Sequence, residues 1–206
     1  MNNIEYGQAN ILEIDTLKRR FDVIYAAGVL HHLADPFAGW RQLLAILAPE
    51  GFMNIGLYSE RAREDIVAAQ RFLAAKGYKP TPDDIRRCRS EFERLPVESP
   101  LRRVMSFADF YSLSELRDLL FHVQEQSTNL PQIARFLIDN KLQFLGFIQA
   151  THIRQRYHQQ FPQDGAMIDL ALWDRFEAEN PRTFVDMYQF WVQKTGENRE
   201  ASGAGC

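Results

Sequence analysis

Phe21-Asp22-Val23-Ile24-Tyr25-Ala26-Ala27-Gly28-Val29-Leu30-His31-His32-Leu33-Ala34-Asp35-Pro36 is the stretch from which the rest of the chain is read. Residues 21–27 form a nearly unbroken apolar run, β-branched in part, which predicts a strand covered on both faces. The run breaks at Gly28, passes a histidine pair and ends at Asp35-Pro36, an N-cap followed by a first-turn proline. The helix that follows places Trp40, Leu43, Leu44 and Leu47 at i, i+3, i+4 and i+7, a core-facing stripe. Pro49-Glu50-Gly51 is a turn, and residues 52–58 make a further strand. A strand–helix–strand unit of this size predicts a parallel pair with a right-handed crossover. Ligands of such sheets bind outside the carboxyl ends of the strands. That rule places Ala26, Ala27, Gly28 and the histidine pair beside a pocket.

Outward from this unit, residues 10–14 read as a short apolar strand. Residues 61–76 read as a helix with Ile66, Ala69 and Leu73 on one face and Gly77 as its stop. Thr81-Pro82-Asp83-Asp84 opens another helix. Ser112-Leu113-Ser114-Glu115 has the spacing of a capping box, with Tyr111 and Leu116 as its staple. Pro131 starts a helix carrying Ile133, Phe136 and Leu137. Residues 142–148 form a strand, 169–179 a helix, and 184–192 an aromatic-rich last strand. The fold class is α/β: a partial doubly wound, Rossmann-like sheet with a helical insert at about 61–140. One domain covers 1–194, and the polar, Gly-rich residues 195–206 read as a disordered tail.

Composition narrows the function. A net charge of −3 over 206 residues gives no electrostatic case for nucleic acid or a membrane surface. No apolar run approaches the ~20 residues that span a bilayer, and no signal peptide is evident. Two cysteines, Cys88 and Cys206, form no spacing motif, which fits a reduced, cytoplasmic setting.

Several side chains are candidates for chemistry. Ala26, Ala27 and Gly28 leave room for a ligand at a strand end, or serve only a tight turn. His31 and His32 fit a general base, a substrate contact or a structural role. Being adjacent, they share no helix face, so one at most points into a pocket. Tyr58, at the end of its strand, is a substrate-side aromatic. Asp118, His122 and Glu125 stand at i, i+4 and i+7 on one helix face, opposite Leu116, Leu119, Leu120 and Val123. Periodicity alone favours a solvated amphipathic face for them. One histidine and two carboxylates are an incomplete ligand set, so no metal site is assigned.

From residue 10 to 194 the chain resembles a class I S-adenosylmethionine-dependent methyltransferase, most closely the bacterial kind often fused to tetratricopeptide repeats. The resemblance rests on several blocks together. They are Gly28-Val29-Leu30-His31-His32-Leu33-x-Asp35-Pro36, Ile55-Gly56-Leu57-Tyr58-Ser59-Glu60-x-Ala62-Arg63, Asp109-Phe110-Tyr111-Ser112, Arg117-Asp118-Leu119-Leu120-Phe121-His122-x-x-Glu125, Phe144-Leu145-Gly146-Phe147 and Asn180-Pro181-x-Thr183-Phe184-x-x-Met187-Tyr188-x-Phe190-Trp191.

The resemblance implies S-adenosylmethionine as cofactor and methyl transfer to a small molecule or a protein side chain. It implies that Ala26, Ala27 and Gly28 make room for the sulfonium and methyl. Asn10-Ile11 stands where the family often has Asp-Leu beside the adenine, and Asn still offers a carbonyl acceptor. Tyr58, Tyr111, Asp118 and Glu125 would wall the substrate, with His31, His32 and His122 as base candidates. A tetratricopeptide-repeat region is the implied companion in a parent chain.

One departure is large. The family's Gly-rich cofactor loop and ribose-binding acid do not occur in these 206 residues, so the chain reads as the family entered just before its third strand. The alternative is a catalytically inactive fragment or a structural or interaction module. Cofactor binding by the isolated chain is therefore expected to be very weak or nil. The family's strand order, 3-2-1-4-5-7-6, predicts here a sheet ordered fourth, fifth, seventh, sixth. Residues 10–14, taken as the third strand, would lie detached or displaced to its edge.

Overall fold

The computed structural model describes residues 3–121 and 125–195. The expected disordered tail falls on residues 196–206, outside the described residues.

The decisive stretch folds as β1 (Phe21–Ala26), a 3-10 turn (Leu30–His32) and α1 (Pro36–Ala45), followed by β2 (Leu47–Ser59). Asp35 caps α1, its carboxylate accepting from the Phe37 amide at 2.9 Å. β1 and β2 pair in parallel, with Val23 opposite Phe52 and Ala26 opposite Ile55. The Pro49-Glu50-Gly51 turn is not a loop between helix and strand but a bulge within β2. Phe21 faces Leu47 while Val23 already faces Phe52, and Glu50 takes φ 61°. Leu47, the last member of the helical stripe, therefore belongs to the strand. It is still fully buried beside Trp40, Leu43 and Leu44.

The insert follows as α2 (Glu64–Ala75), α3 (Pro82–Arg94), two 3-10 segments (Pro100–Ser106, Ala108–Tyr111) and α4 (Leu113–Phe121). It buries its own apolar cluster, which includes Ile66, Leu73, Ile85, Phe92, Phe110 and Leu116. Cys88 lies in that cluster, where burial pushes its thiol up to about 11, so it stays protonated and unreactive. The chain returns through β3 (Ser127–Thr128), parallel to the Tyr58–Ser59 end of β2.

Next comes α5 (Leu130–Asp139), capped reciprocally by Asn129 and Gln132. Its buried Leu130, Ile133, Phe136 and Leu137 pack in the sheet's cluster and not in the insert's. β4 (Leu142–Phe147), α6 (Thr151–Gln160), α7 (Leu170–Glu179) and β5 (Tyr188–Lys194) complete the fold. Helix α6 escapes sequence periodicity because Tyr157 is its one buried residue. The last strand begins at Tyr188 and not at 184, since residues 181–186 turn and Phe184 packs inward ahead of the strand.

The sheet runs β1-β2-β5-β4, with β5 antiparallel to both neighbours. This is the fourth, fifth, seventh, sixth order the resemblance implies. Residues 10–14 are not a strand. Asn10 caps a 3-10 helix (Ile11–Leu17), its side-chain oxygen accepting from the Leu12 amide at 3.1 Å, and Lys18 closes it in the left-handed region. Once the first amides are capped, a helical turn packed against α1 satisfies this segment without a sheet partner.

One face of the sheet is covered and the other is open. Met53, Ile55 and Leu57 of β2 lie under the helices with Val192 and Phe190 of β5. On the opposite face Val23 is 57 % exposed and Tyr25 65 %. The double coverage expected of β1 is thus not met among the described residues. Its outer edge also has no partner strand among them. An open apolar edge templates pairing with another strand. The chain is therefore expected to self-associate with rising concentration in size-exclusion chromatography with light scattering. A monodisperse monomer throughout would refute this.

Gly56 marks a second consequence of packing at the strand ends. A Cβ there would sit 2.6 Å from Met187 Sδ and 2.9 Å from Ala27 Cα. Met187 can swing aside, but the backbone of β1 cannot. Gly56→Ala is expected to cost roughly 1–3 kcal/mol by forcing β1 and β2 apart, read by urea denaturation. An unchanged midpoint would show that the strand ends yield freely.

Candidate active site

β1 ends in Ala26 and Ala27, and Gly28 turns the chain at φ 77°, a backbone conformation that disfavours any residue with a Cβ. Among the described residues nothing lies within 4 Å of where that Cβ would be. Of the three small residues only Gly28 opens onto space: Ala26 is buried in the sheet's cluster, and Ala27 packs against Gly56. The following 3-10 turn buries Leu30 and His31 and leaves His32 exposed. The His31 ring centroid lies 3.9 Å from that of Tyr58 and 4.2 Å from that of His32. The His31 carbonyl accepts from the Gln126 amide at 2.8 Å, tying the end of β1 to the segment that returns from the insert.

Tyr58, near the end of β2, is half-buried. The guanidinium carbon of Arg63 lies 3.9 Å from its ring centroid, and Arg63 forms an ion pair with Glu125. Such a cation–aromatic contact is worth ~0.5–2 kcal/mol, more where water is excluded. Burial pushes the Tyr58 phenol above its usual range, against the pull of Arg63.

Tyr58 and Arg63 wall a pocket of about 320 Å³ between the end of β2 and the insert, lined also by Asp109, Leu119, Arg182 and Asp186. Arg182 donates to Ser106 Oγ at 2.9 Å, joining the loop before β5 to the insert. Arg63 is neutralised by Glu125. The remaining lining charges are one cation, Arg182, against two carboxylates, Asp109 and Asp186. With Glu125 counted behind the wall, the site holds three carboxylates against two cations.

The structure sorts the candidates named from sequence. Tyr58 is in the wall, and Glu125 reaches it through Arg63. The shared helix face does not extend to Glu125, which lies on the irregular segment leading to β3. Asp118 is exposed on α4, and His122 lies outside the described residues. Tyr111 is 63 % exposed, edge-on to Phe110, and is not among the pocket's lining residues. Asn10 is exposed, with its side-chain oxygen capping Leu12, while Ile11 packs partly against the sheet's cluster. Among the described residues no group of three metal-ligating side chains exists.

Sequence reasoning missed Arg63, Asp109, Arg182 and Asp186 as wall residues. The first two stand inside blocks already singled out. Arg182 and Asp186 sit in a non-periodic loop that gives no local signal.

Residues 1–55 match the family described as methyltransferase domain. An uncharacterized protein, syc1184_c, of Synechococcus sp. (strain ATCC 27144 / PCC 6301 / SAUG 1402/1) is 32% identical over 154 residues, covering 71% of this chain. The chain spans 36% of that relative's length. Among solved structures, PKMT2 from Rickettsia typhi superposes with a TM-score of 0.73 at 14% identity, over 96% of this chain and 39% of that one. The same protein in complex with AdoHcy gives 0.70 at 14% identity, over 96% and 40%. At this identity the superposition establishes the fold, and the sequence match is confined to residues 1–55. Residues 1–55 are thus similar to a methyltransferase domain, and the chain shares the fold of PKMT2.

Proposed function

We propose that this chain forms the acceptor side of a methyl-transfer site, with an amine on a protein side chain or small molecule as the acceptor. The observation that carries this is the pocket at the carboxyl end of β2, under the insert, with Asp109 and Asp186 in its wall and Glu125 paired to Arg63 behind it. The end of β1 beside it leaves room for one end of the cofactor at Gly28, where the space a Cβ would fill is open, with the small Ala27 before it. Asn10 and Ile11 are the residues proposed toward the adenine. Bound there, S-adenosylmethionine supplies a methyl group made electrophilic by its sulfonium.

The chain's own residues then have separable tasks. Asp109 and Asp186 draw a protonated amine into the pocket by charge. The Tyr58 ring, held between His31 and Arg63 contacts, bounds the space in which the amine is aligned. An amine must lose its proton before it attacks. Exposed His32 is the more accessible proton acceptor of the pair, while buried His31 orients Tyr58.

Calorimetry of the chain with a lysine-containing peptide and with an acidic peptide of equal length, each with S-adenosylhomocysteine present, tests this. The amine-bearing peptide is expected to bind more tightly. Asp109→Asn combined with Asp186→Asn should weaken it roughly fivefold, about 1 kcal/mol, as expected for partly exposed charges. Equal affinity for both peptides, or no loss in the double variant, would overturn the amine assignment.

A further inference from the structure

Behind the pocket wall lies a carboxylate that the proposed chemistry does not use. Glu177 on α7 is fully buried. Its Oε1 accepts from Ser59 Oγ at 2.5 Å, and its Oε2 accepts from the Tyr188 hydroxyl at 2.6 Å and from Arg61 Nη1 at 3.3 Å. Arg61 also donates to Asp174 at 2.5 Å. The Ser59 hydroxyl in turn accepts from the Ala62 amide at 3.1 Å, and the Ser59 carbonyl accepts from the Arg63 amide at 3.1 Å. One buried acid thus grips the turn 59–63 at its first residue and at Arg61.

The two pocket side chains that stack on each other, Tyr58 and Arg63, flank that turn. A neutral amide could still bond to both the Ser59 and Tyr188 hydroxyls, accepting from one and donating to the other. A carboxylate is costly to bury and adds one thing, a charge that fixes where Arg61 and the turn can lie. We propose that Glu177 is a positioning residue, acting through Ser59 and Arg61 on the 59–63 turn to hold Tyr58 and Arg63 in their stacked pose at the acceptor pocket. The inference rests on the acceptor reading above only for what the pocket binds.

The test reads the pose itself. In the 15N-labelled chain the Arg63 side-chain Nε–H resonance, assigned by its loss in Arg63→Lys, is expected to be shifted upfield by the Tyr58 ring and to lose that shift in Tyr58→Leu. Glu177→Gln keeps the volume and one acceptor oxygen, turns the other oxygen into an NH2 donor that a hydroxyl oxygen can accept from, and removes the charge. It is expected to lose the upfield shift while amide resonances of the insert's cluster, around Cys88 and Phe92, stay in place. Ser59→Ala cuts the link at its other end and should give the same loss, and it carries the test if Glu177→Gln does not fold. An Arg63 resonance unmoved in either folded variant overturns the proposal. Failure of the peptide titration with the ring shift still lost would strike the acceptor assignment alone.

Discussion

Trp40→Ala is expected to remove about 3–5 kcal/mol of stability, a large fraction of the 5–15 kcal/mol typical of a whole domain. The Trp40 side chain is fully buried where three elements meet. Its ring centroid lies 4.2 Å from that of Phe136 on α5 in a stacked arrangement, and 5.7 Å from that of Phe190 on β5. Truncation would leave a cavity bounded by helix and sheet backbones, which collapse only in part. The indole Nε1 has no hydrogen-bond partner, and a buried orphan donor costs ~1–3 kcal/mol. Trp40→Phe removes that orphan along with some packing, and the two effects offset. Urea denaturation should therefore show a severe loss for alanine and a much smaller one for phenylalanine. Equal losses in the two variants would mean that the indole N–H, and not the packed ring, sets the energetics.

That prediction draws on residues visible in the sequence. The Trp40 stripe, the Asp35-Pro36 cap and the parallel β1–β2 pair were all legible, because each is a local pattern with one physical meaning. The order of the sheet was legible through the resemblance, since short-range patterning says nothing of which strands neighbour β5. Residues 10–14 misled because a short apolar run reads alike as a strand or a helical turn. The side chain of Asn10 decided the matter by capping. Glu125 misled differently: its spacing from Asp118 assumed a helix through residue 125, where the chain is not helical. Arg182 and Glu177 were illegible because their roles depend on partners 76 and 118 residues away, Ser106 and Ser59. No window along the chain contains both members of either pair.

Glu177→Ala is the second large effect expected, a loss of about 3–5 kcal/mol, as for other buried ionic clusters broken at one member. The variant leaves the buried Ser59 and Tyr188 hydroxyls without their acceptor and takes one of two carboxylates from Arg61. Glu177→Gln should lose less, roughly 1–2 kcal/mol, because an amide still bonds to both hydroxyls. The glutamine variant also exposes a pH dependence of unusual sign. Burial raises the Glu177 carboxyl above the usual carboxylate range, in spite of the hydroxyls and Arg61, which act to lower it. Between the unfolded value of 4.5 and the raised folded value, the folded state holds more protons than the unfolded one. This group's share of stability is therefore complete below the unfolded value and is lost as pH rises through the folded one. Urea midpoints of the parent chain and Glu177→Gln, taken from acid to neutral pH, should draw closer as pH rises. A gap that widens instead would show that Ser59, Tyr188 and Arg61 outweigh burial, with the ionised form of Glu177 favoured in the folded chain.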